Sequence, residues 1–197
     1  MNYELEKSLI DKGYKFVCGV DEAGRGPLAG RVYAAAVILP FGIYIDGLND
    51  SKKLSEKKRD ILFDVIIKEA VSYSISFAEV DEIESLNILN ASQLAMKRAV
   101  DGLNVCADFA LIDGNISRGF CIPTQTVVKG DSLSPSIAAA SILAKVSRDR
   151  YCIELDSIFP QYGFAKHKGY GTKAHYEAIK AFGPCEMHRL SFLKNVL

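Results

Sequence analysis

The sequence predicts an α/β domain on a mixed β-sheet, with its last helices packed to one side. Three observations carry that expectation. Short apolar or alternating runs crowd the first 80 residues and recur near residues 110 and 125. Two early runs are joined only by a glycine-rich loop, which suggests an antiparallel pair. From residue 55 onward strand-like and helix-like patterns alternate, which is the signature of an α/β architecture.

The elements follow in order. Met1 to Lys15 is charged and helix-like, without the apolar core of a signal peptide. Phe16–Val20 is a short apolar run ending in Asp21-Glu22, as expected of a central buried strand. Gly24 to Gly30 is a loop by composition, and Val32–Leu39 is a second strand that Pro40 stops. Ser55 reads as an N-cap for a helix to about Ala70, with Ile61, Leu62, Val65 and Ile66 on one face. Val71, Tyr73, Ile75 and Phe77 alternate with three serines, as in a half-buried strand. Leu89–Leu103 reads as a helix. Phe109–Ile112 and Thr124–Val128 are further strands, ending in Asp113-Gly114-Asn115 and Lys129-Gly130-Asp131. Ser134-Pro135 pairs a hydroxyl cap with proline at the first helical position, so a helix starts there and runs toward Phe159. A last helix starts at Thr172 and ends at Gly183-Pro184.

The 197 residues fit one domain with a well-buried core, and 49% apolar with 24% charged residues is ordinary for a globular protein. No apolar run approaches the roughly 18 residues that span a membrane. A cytoplasmic location and a monomer are expected. The cysteine count is odd (Cys18, Cys106, Cys121, Cys152, Cys185), with no CxxC spacing, which favours buried free thiols. The three histidines lack zinc-ligand spacing, and His175 is expected on an exposed helix face without a role. Net charge is zero, yet residues 1–144 hold 15 Lys/Arg and 19 Asp/Glu, whereas residues 145–197 hold 9 and 5. An acidic body with a basic C-terminal part suggests a polyanionic partner.

Asp21-Glu22, Asp113 and Asp131 all stand at strand ends, so one sheet can gather four carboxylates at one edge. Four bare carboxylates repel one another, and a bound hard cation relieves them. Two Mg²⁺ or Mn²⁺ ions about 3.5–4 Å apart would suit phosphoryl transfer. Gly24-x-Gly26-x-x-Ala29 superficially matches a dinucleotide fingerprint, but a strand follows it, and Asp21-Glu22 would repel a pyrophosphate.

The stretch Val20-Asp21-Glu22-Ala23-Gly24-Arg25-Gly26-Pro27-Leu28-Ala29-Gly30 closely resembles the opening signature of the bacterial ribonuclease HII family. Asp50-Ser51-Lys52-Lys53-Leu54, Ile112-Asp113-Gly114, Lys129-Gly130-Asp131, Ala139 to Asp149, His167 to Thr172 and His188 to Phe192 resemble it too, in order along nearly the whole chain. Arg31 departs, where many relatives are expected to carry proline. The extra N-terminal domain of ribonuclease HIII is not expected here, which favours HII. The resemblance implies a ribonuclease H-like mixed five-stranded sheet flanked by helices, with residues 145–197 as a basic helical part completing a substrate groove.

The resemblance also implies roles. Asp21, Glu22, Asp113 and Asp131 match the catalytic metal-binding acids. Gly24, Arg25 and Gly26 match the loop whose backbone reads the ribonucleotide 2′-hydroxyl. Tyr170 matches the ring that packs by the neighbouring deoxy sugar, and Lys52 and Lys53 match a phosphate-contacting segment. Lys145 and Arg148 are candidate phosphate contacts. The implied substrates are RNA/DNA hybrids and duplex DNA with embedded ribonucleotides; contacts with replication proteins are left open. Two alternatives remain at this stage: another metal-dependent nuclease or resolvase of the superfamily, and a non-catalytic nucleic-acid-binding module holding a structural cation. His188 and Arg189 match the family without a role that the residues themselves suggest.

Overall fold

A computed structural model describes residues 2–194. Strands β1 (Val17–Ala23), β2 (Val32–Ile38), β3 (Ser72–Ala78), β4 (Phe109–Asp113) and β5 (Thr124–Val127) form one sheet in the order β3-β2-β1-β4-β5. β1–β2 and β2–β3 are antiparallel; β1–β4 and β4–β5 are parallel. The mixed five-stranded sheet is the one the sequence predicts.

Helices cover both faces. α1 (Glu4–Ile10) precedes β1, and α2 (Glu56–Glu69) follows the long β2 connection. α3 (Val80–Asp101) lies on one face of the sheet, against β1, β2 and β3. α4 (Pro135–Ile158) lies on the other, against β1 and β2, with α2 packed outside it. α5 (Phe164–His167) and α6 (Lys173–Phe182) complete the C-terminal end.

Every residue of β2 is buried, because it lies between both helical layers and reads as continuous apolar sequence for that reason. Small side chains bring the layers close: Ala34, Ala36 and Ala78 meet Ala91, Ala95 and Ala99, while Ala35 and Val37 meet Ala139, Ala140 and Leu143. Gly19 is essential to this approach. A Cβ there would lie 2.1 Å from the Ser136 carbonyl carbon at the start of α4. Truncating a fully buried side chain such as Ile142 to alanine should cost about 2–5 kcal/mol.

Caps hold the helix starts where the sequence places them. The Ser55, Ser134 and Thr172 hydroxyls accept from the N–H groups of Lys58, Ile137 and His175. α3 is longer than its periodicity suggests. It begins at Val80, where the Glu82 carboxylate accepts from the Glu79 N–H at 2.9 Å. Asn87, at φ 67° and ψ 162°, breaks the helix, and its side chain recaps the second half by accepting from Leu89 and Asn90. That break hides the first two turns from a periodicity argument. Two further expectations need correction. Only Cys18 and Cys152 are buried, whereas Cys106 and Cys121 are exposed. His175 is fully buried beneath α5 rather than exposed on α6, because the short α5 and the turn before Arg189 close over that face.

Candidate active site

Parallel pairing of β1 with β4 aligns Val20 with Ile112, so the next residues, Asp21 and Asp113, leave the sheet side by side. Lys129, in a left-handed conformation at φ 57°, turns the chain back after β5. The Gly130 N–H then donates to Asp113 Oδ1 at 2.7 Å, and Asp131 enters a buried 3-10 turn beside it. Strand alternation sends Glu22 toward the α3 side and Asp21 toward α4. The four acids thus come from three segments and gather at one sheet edge, between two shallow depressions.

The cluster is electrostatically uncomfortable. Burial, with the charges of Glu22 and Asp113 beside it, pushes the Asp21 carboxyl well above the usual carboxylate range, against the pull of Ser141 and the Glu22 N–H. Burial also raises Glu22, although Arg25 at 3.3 Å opposes it. Asp113 is raised by burial first; the Gly130 N–H works against this, and the Asp131 charge adds to it. Lys52 Nζ lies 3.1 Å from Asp131 Oδ2. Burial pulls the Lys52 ammonium down, but its bond to Asp131 and the charges of Asp131, Asp21 and Asp50 outweigh that and raise it.

The donor set is oxygen only, which suits a hard divalent cation such as Mg²⁺ or Mn²⁺. It is not a finished cage: among the described residues, no three His, Cys, Asp or Glu side chains already converge on one metal position. The carboxylates are instead engaged with Lys52, Arg25 and the backbone N–H groups of Glu22 and Gly130. Four acids, open coordination and a flanking lysine fit a metal shared with a ligand's own oxygens.

Beside the acids is a depression of about 140 Å³, lined by Asp21, Glu22, Gly24, Lys52, Lys145, Arg148 and Tyr170 among others. A larger one, about 400 Å³, is lined by Tyr3, Tyr44 and Pro135 and includes none of these groups. The chemistry therefore belongs to the smaller one. Lys52 and Lys53 are exposed, and Lys145 Nζ bonds Asp149 at 2.6 Å. Arg148 differs from the phosphate contact expected of it. It is 1% exposed and donates to the Lys168 carbonyl at 2.9 Å, with its Nε unpartnered. It fits against Gly24, whose φ is 101° and where a Cβ would lie 2.1 Å from Nε.

Arg189, for which the residues alone suggested no role, is the anchor of the glycine loop. Fully buried, it donates to the carbonyls of Gly24, Arg25, Pro27, Gly30 and Arg31 at 2.7–3.2 Å. Burial, and the like charge of Arg148, lower it to about 9. In a trans peptide the N–H points opposite the preceding carbonyl. With the Gly24 and Arg25 carbonyls drawn inward, the N–H groups of Arg25 and Gly26 point away from Arg189, and neither has an acceptor among the described residues. Tyr170 sits over this loop, half exposed, with its ring 3.6 Å from where a Gly26 Cβ would be. The loop therefore offers free main-chain donors beneath an aromatic ring. Arg31, the departure from the resemblance, pairs with Glu79 through two bonds of 2.8 and 2.7 Å and tethers the start of β2 to α3.

Comparison with known proteins gives the family. The family model described as Ribonuclease HII matches residues 18–195. Ribonuclease HII of Caldicellulosiruptor saccharolyticus is 53% identical over 195 residues, covering 99% of this chain and 95% of that relative. Among solved structures, the ribonuclease H2 of Pyrococcus horikoshii OT3 superposes with a TM-score of 0.75 at 23% identity, covering 92% of this chain and 97% of the other. Bst-RNase HIII in complex with Mn²⁺ gives 0.70 at 18% identity, covering 92% and 68%. These two show likeness of fold. The family match and the full-length identity establish that this chain belongs to the ribonuclease HII family and is a ribonuclease H, a hydrolytic endonuclease.

Proposed function

We propose that this enzyme hydrolyses the RNA strand of RNA/DNA hybrids and cuts 5′ of ribonucleotides embedded in duplex DNA, leaving 5′-phosphate and 3′-hydroxyl ends. Asp21, Glu22, Asp113 and Asp131 would hold two ions, Mg²⁺ or Mn²⁺. Such ions, when bound, supply the Lewis acidity that activates water and stabilises the leaving oxygen. The observation that carries the reading is the gathering of Asp21, Glu22, Asp113 and Asp131 at one end of the central strands, beside a loop with two free main-chain N–H groups.

The chain's own residues supply recognition. The N–H groups of Arg25 and Gly26 can donate to a 2′-hydroxyl, the group that distinguishes RNA from DNA. A glycine at 26 lets the sugar approach the backbone closely. The Tyr170 ring packs against the next, deoxy, sugar. Lys52, Lys53 and Lys145 contact phosphates, and Lys52, which now pairs with Asp131, would release it to such an ion. Arg148 acts indirectly, by tying the Tyr170 loop to the glycine loop. Residues 1–197 act as one domain, with 145–197 completing the groove, and the enzyme works as a cytoplasmic monomer in removing ribonucleotides from DNA.

The test is cleavage of three matched duplexes with Mg²⁺: all DNA, one embedded ribonucleotide, and a ribonucleotide run. The reading predicts no cutting of the first and cutting of both others, because a site built to bond a hydroxyl rejects the analogue lacking it. Equal cutting of all three would refute it. Changing Gly26 to a bulkier residue should harm both ribonucleotide substrates.

A further inference from the structure

All three histidines of the chain meet in one buried cluster behind the Tyr170 loop. His167 closes α5, His175 lies on α6, and His188 lies in the turn that leads to Arg189. Their hydrogen bonds have a direction. The Cys185 N–H donates to His188 Nδ1 at 3.0 Å, which makes that nitrogen an acceptor. The Cys185 carbonyl lies farther from the same nitrogen, at 3.3 Å, and a proton on Nδ1 directed to it would clash with the Cys185 N–H. A neutral His188 therefore carries its proton on Nε2, which lies 3.1 Å from His175 Nε2. At its other nitrogen, His175 Nδ1 lies 2.9 Å from the Tyr170 carbonyl, which can only accept. So His175 is protonated on Nδ1 and bare on Nε2. One arrangement satisfies the three shortest contacts of the pair: Cys185 N–H to His188, His188 to His175, His175 to the Tyr170 carbonyl.

Both ends of this relay are main chain, and both lead to the candidate reading elements. Around His188, the Gly30 N–H donates to Met187 at 2.8 Å, the Arg189 N–H donates to Leu28 at 2.8 Å, and Ala29 bridges His188. At the other end, Tyr170 lies over Gly26. An added proton on His175 would set two Nε2 donors facing each other across 3.1 Å, and one on His188 would set its Nδ1–H against the Cys185 N–H across 3.0 Å, so the relay exists only while both rings are neutral. The groups facing the pair preserve that state. His167 stacks on His175 at 4.3 Å, Phe164 and Tyr162 pack edge-on, and Cys185 Sγ lies 3.2 Å from His188. Among the described residues no carboxylate bonds either ring.

We propose that His175 and His188 are positioning residues for substrate reading: as a neutral pair with fixed tautomers, they hold the Tyr170 main chain in register with the Gly24–Gly30 loop. This rests on the reading of Tyr170 given above. If the pair served only to fill space, a phenylalanine would do as well as a histidine. If it serves as a donor to Tyr170, an asparagine, which places an N–H near the position of Nδ1, does better.

The experiment measures kcat and KM of the full-length enzyme with Mg²⁺ on the single-ribonucleotide duplex and on the ribonucleotide run. The variants are His175→Phe, His175→Asn, Tyr170→Ala, and His175→Phe combined with Tyr170→Ala. His175→Phe should lower kcat/KM on the single ribonucleotide on the order of tenfold and lower it several-fold less on the run, as expected for a misplaced contact. His175→Asn should recover part of that loss. In the Tyr170→Ala background, His175→Phe should change the ratio of the two substrates by less than about twofold, since coupled residues are non-additive. Equal losses on both substrates, equal losses for Phe and Asn, or full additivity with Tyr170→Ala would each overturn the proposal. A wild type indifferent to the two substrates would instead overturn the Tyr170 reading, and the proposal with it. If His175→Phe does not fold, His188→Gln against His188→Leu makes the same comparison, because glutamine retains an N–H at the ε position.

Discussion

The acid edge and the glycine loop lie against each other and are built in opposite ways. The acid edge is made of side chains that repel: Asp21, Glu22 and Asp113 are all pushed toward their protonated forms, and Lys52 is the cation that reaches Asp131. The loop is made of main chain whose inward-pointing carbonyls are satisfied by Arg189, while two N–H groups stay free. One region has an electrostatic deficit that a ligand relieves. The other is preorganised and needs nothing from a ligand to keep its shape. Catalysis of hydrolysis gains from both, because preset donors cost no reorganisation at the moment of reaction.

The largest expected effect breaks the first region. Asp21→Asn should lower cleavage of the single-ribonucleotide duplex by at least about 10³-fold while the fold persists, checked by initial rates beside circular dichroism. The second breaks the loop. Arg189→Met leaves several buried carbonyls without a donor and should cost roughly 3 kcal/mol or more. For a chain of this size that corresponds to a melting midpoint lower by roughly 6–12 °C, read by scanning calorimetry.

A smaller effect concerns the histidines. Burial lowers His175 to about 4, from a usual value near 6.5, and it lowers His188 as well. A group neutral in both folded and unfolded states adds no pH dependence above 6.5. As pH falls from 6.5 toward 4 the unfolded chain takes up protons that the fold refuses, so stability is lost across that window. The wild type should therefore lose more of its melting midpoint between pH 6.5 and 4.5 than His175→Phe does. Identical slopes would mean that this ring is not the titrating group. The smallest effect is Lys52→Ala, which should weaken binding to every duplex alike and make the salt dependence shallower by about one unit in the log–log slope.

Much of this contrast is visible in the sequence, but unevenly. The acid edge is legible because an apolar run that ends in acid is a local pattern, so Asp21 and Asp113 declare themselves as strand-end acids, while Asp131 follows β5 through a turn and lies in a 3-10 helix. Helix caps at Ser55, Ser134 and Thr172 are legible for the same reason. The support of the loop is not. Arg189 lies about 160 residues from the carbonyls it holds, and nothing local distinguishes a buried guanidinium from a solvated one. The basic excess of residues 145–197 looked like an outward-facing surface, yet Arg148 and Arg189 turn inward, and Lys145, Arg150 and Lys168 face acids. His175 looked exposed because α6 alone cannot show that α5 folds over it. Asn87 hid the start of α3 by interrupting its period. In each case the missing information is tertiary, and it concerns polar groups whose partners are main chain.

The acid edge carries a charge imbalance that a cation relieves. The most direct test is the melting midpoint of wild type and Asp21→Asn near pH 7.5, each with chelator and with Mg²⁺. Because the folded-state Asp21 carboxyl is raised, its ionised form costs stability above that value, and the cost vanishes when the charge is removed. Asp21→Asn should melt above wild type in chelator, and Mg²⁺ should raise the wild type more than the variant. A variant that melts below wild type in chelator, with Mg²⁺ shifting both proteins equally, would contradict this.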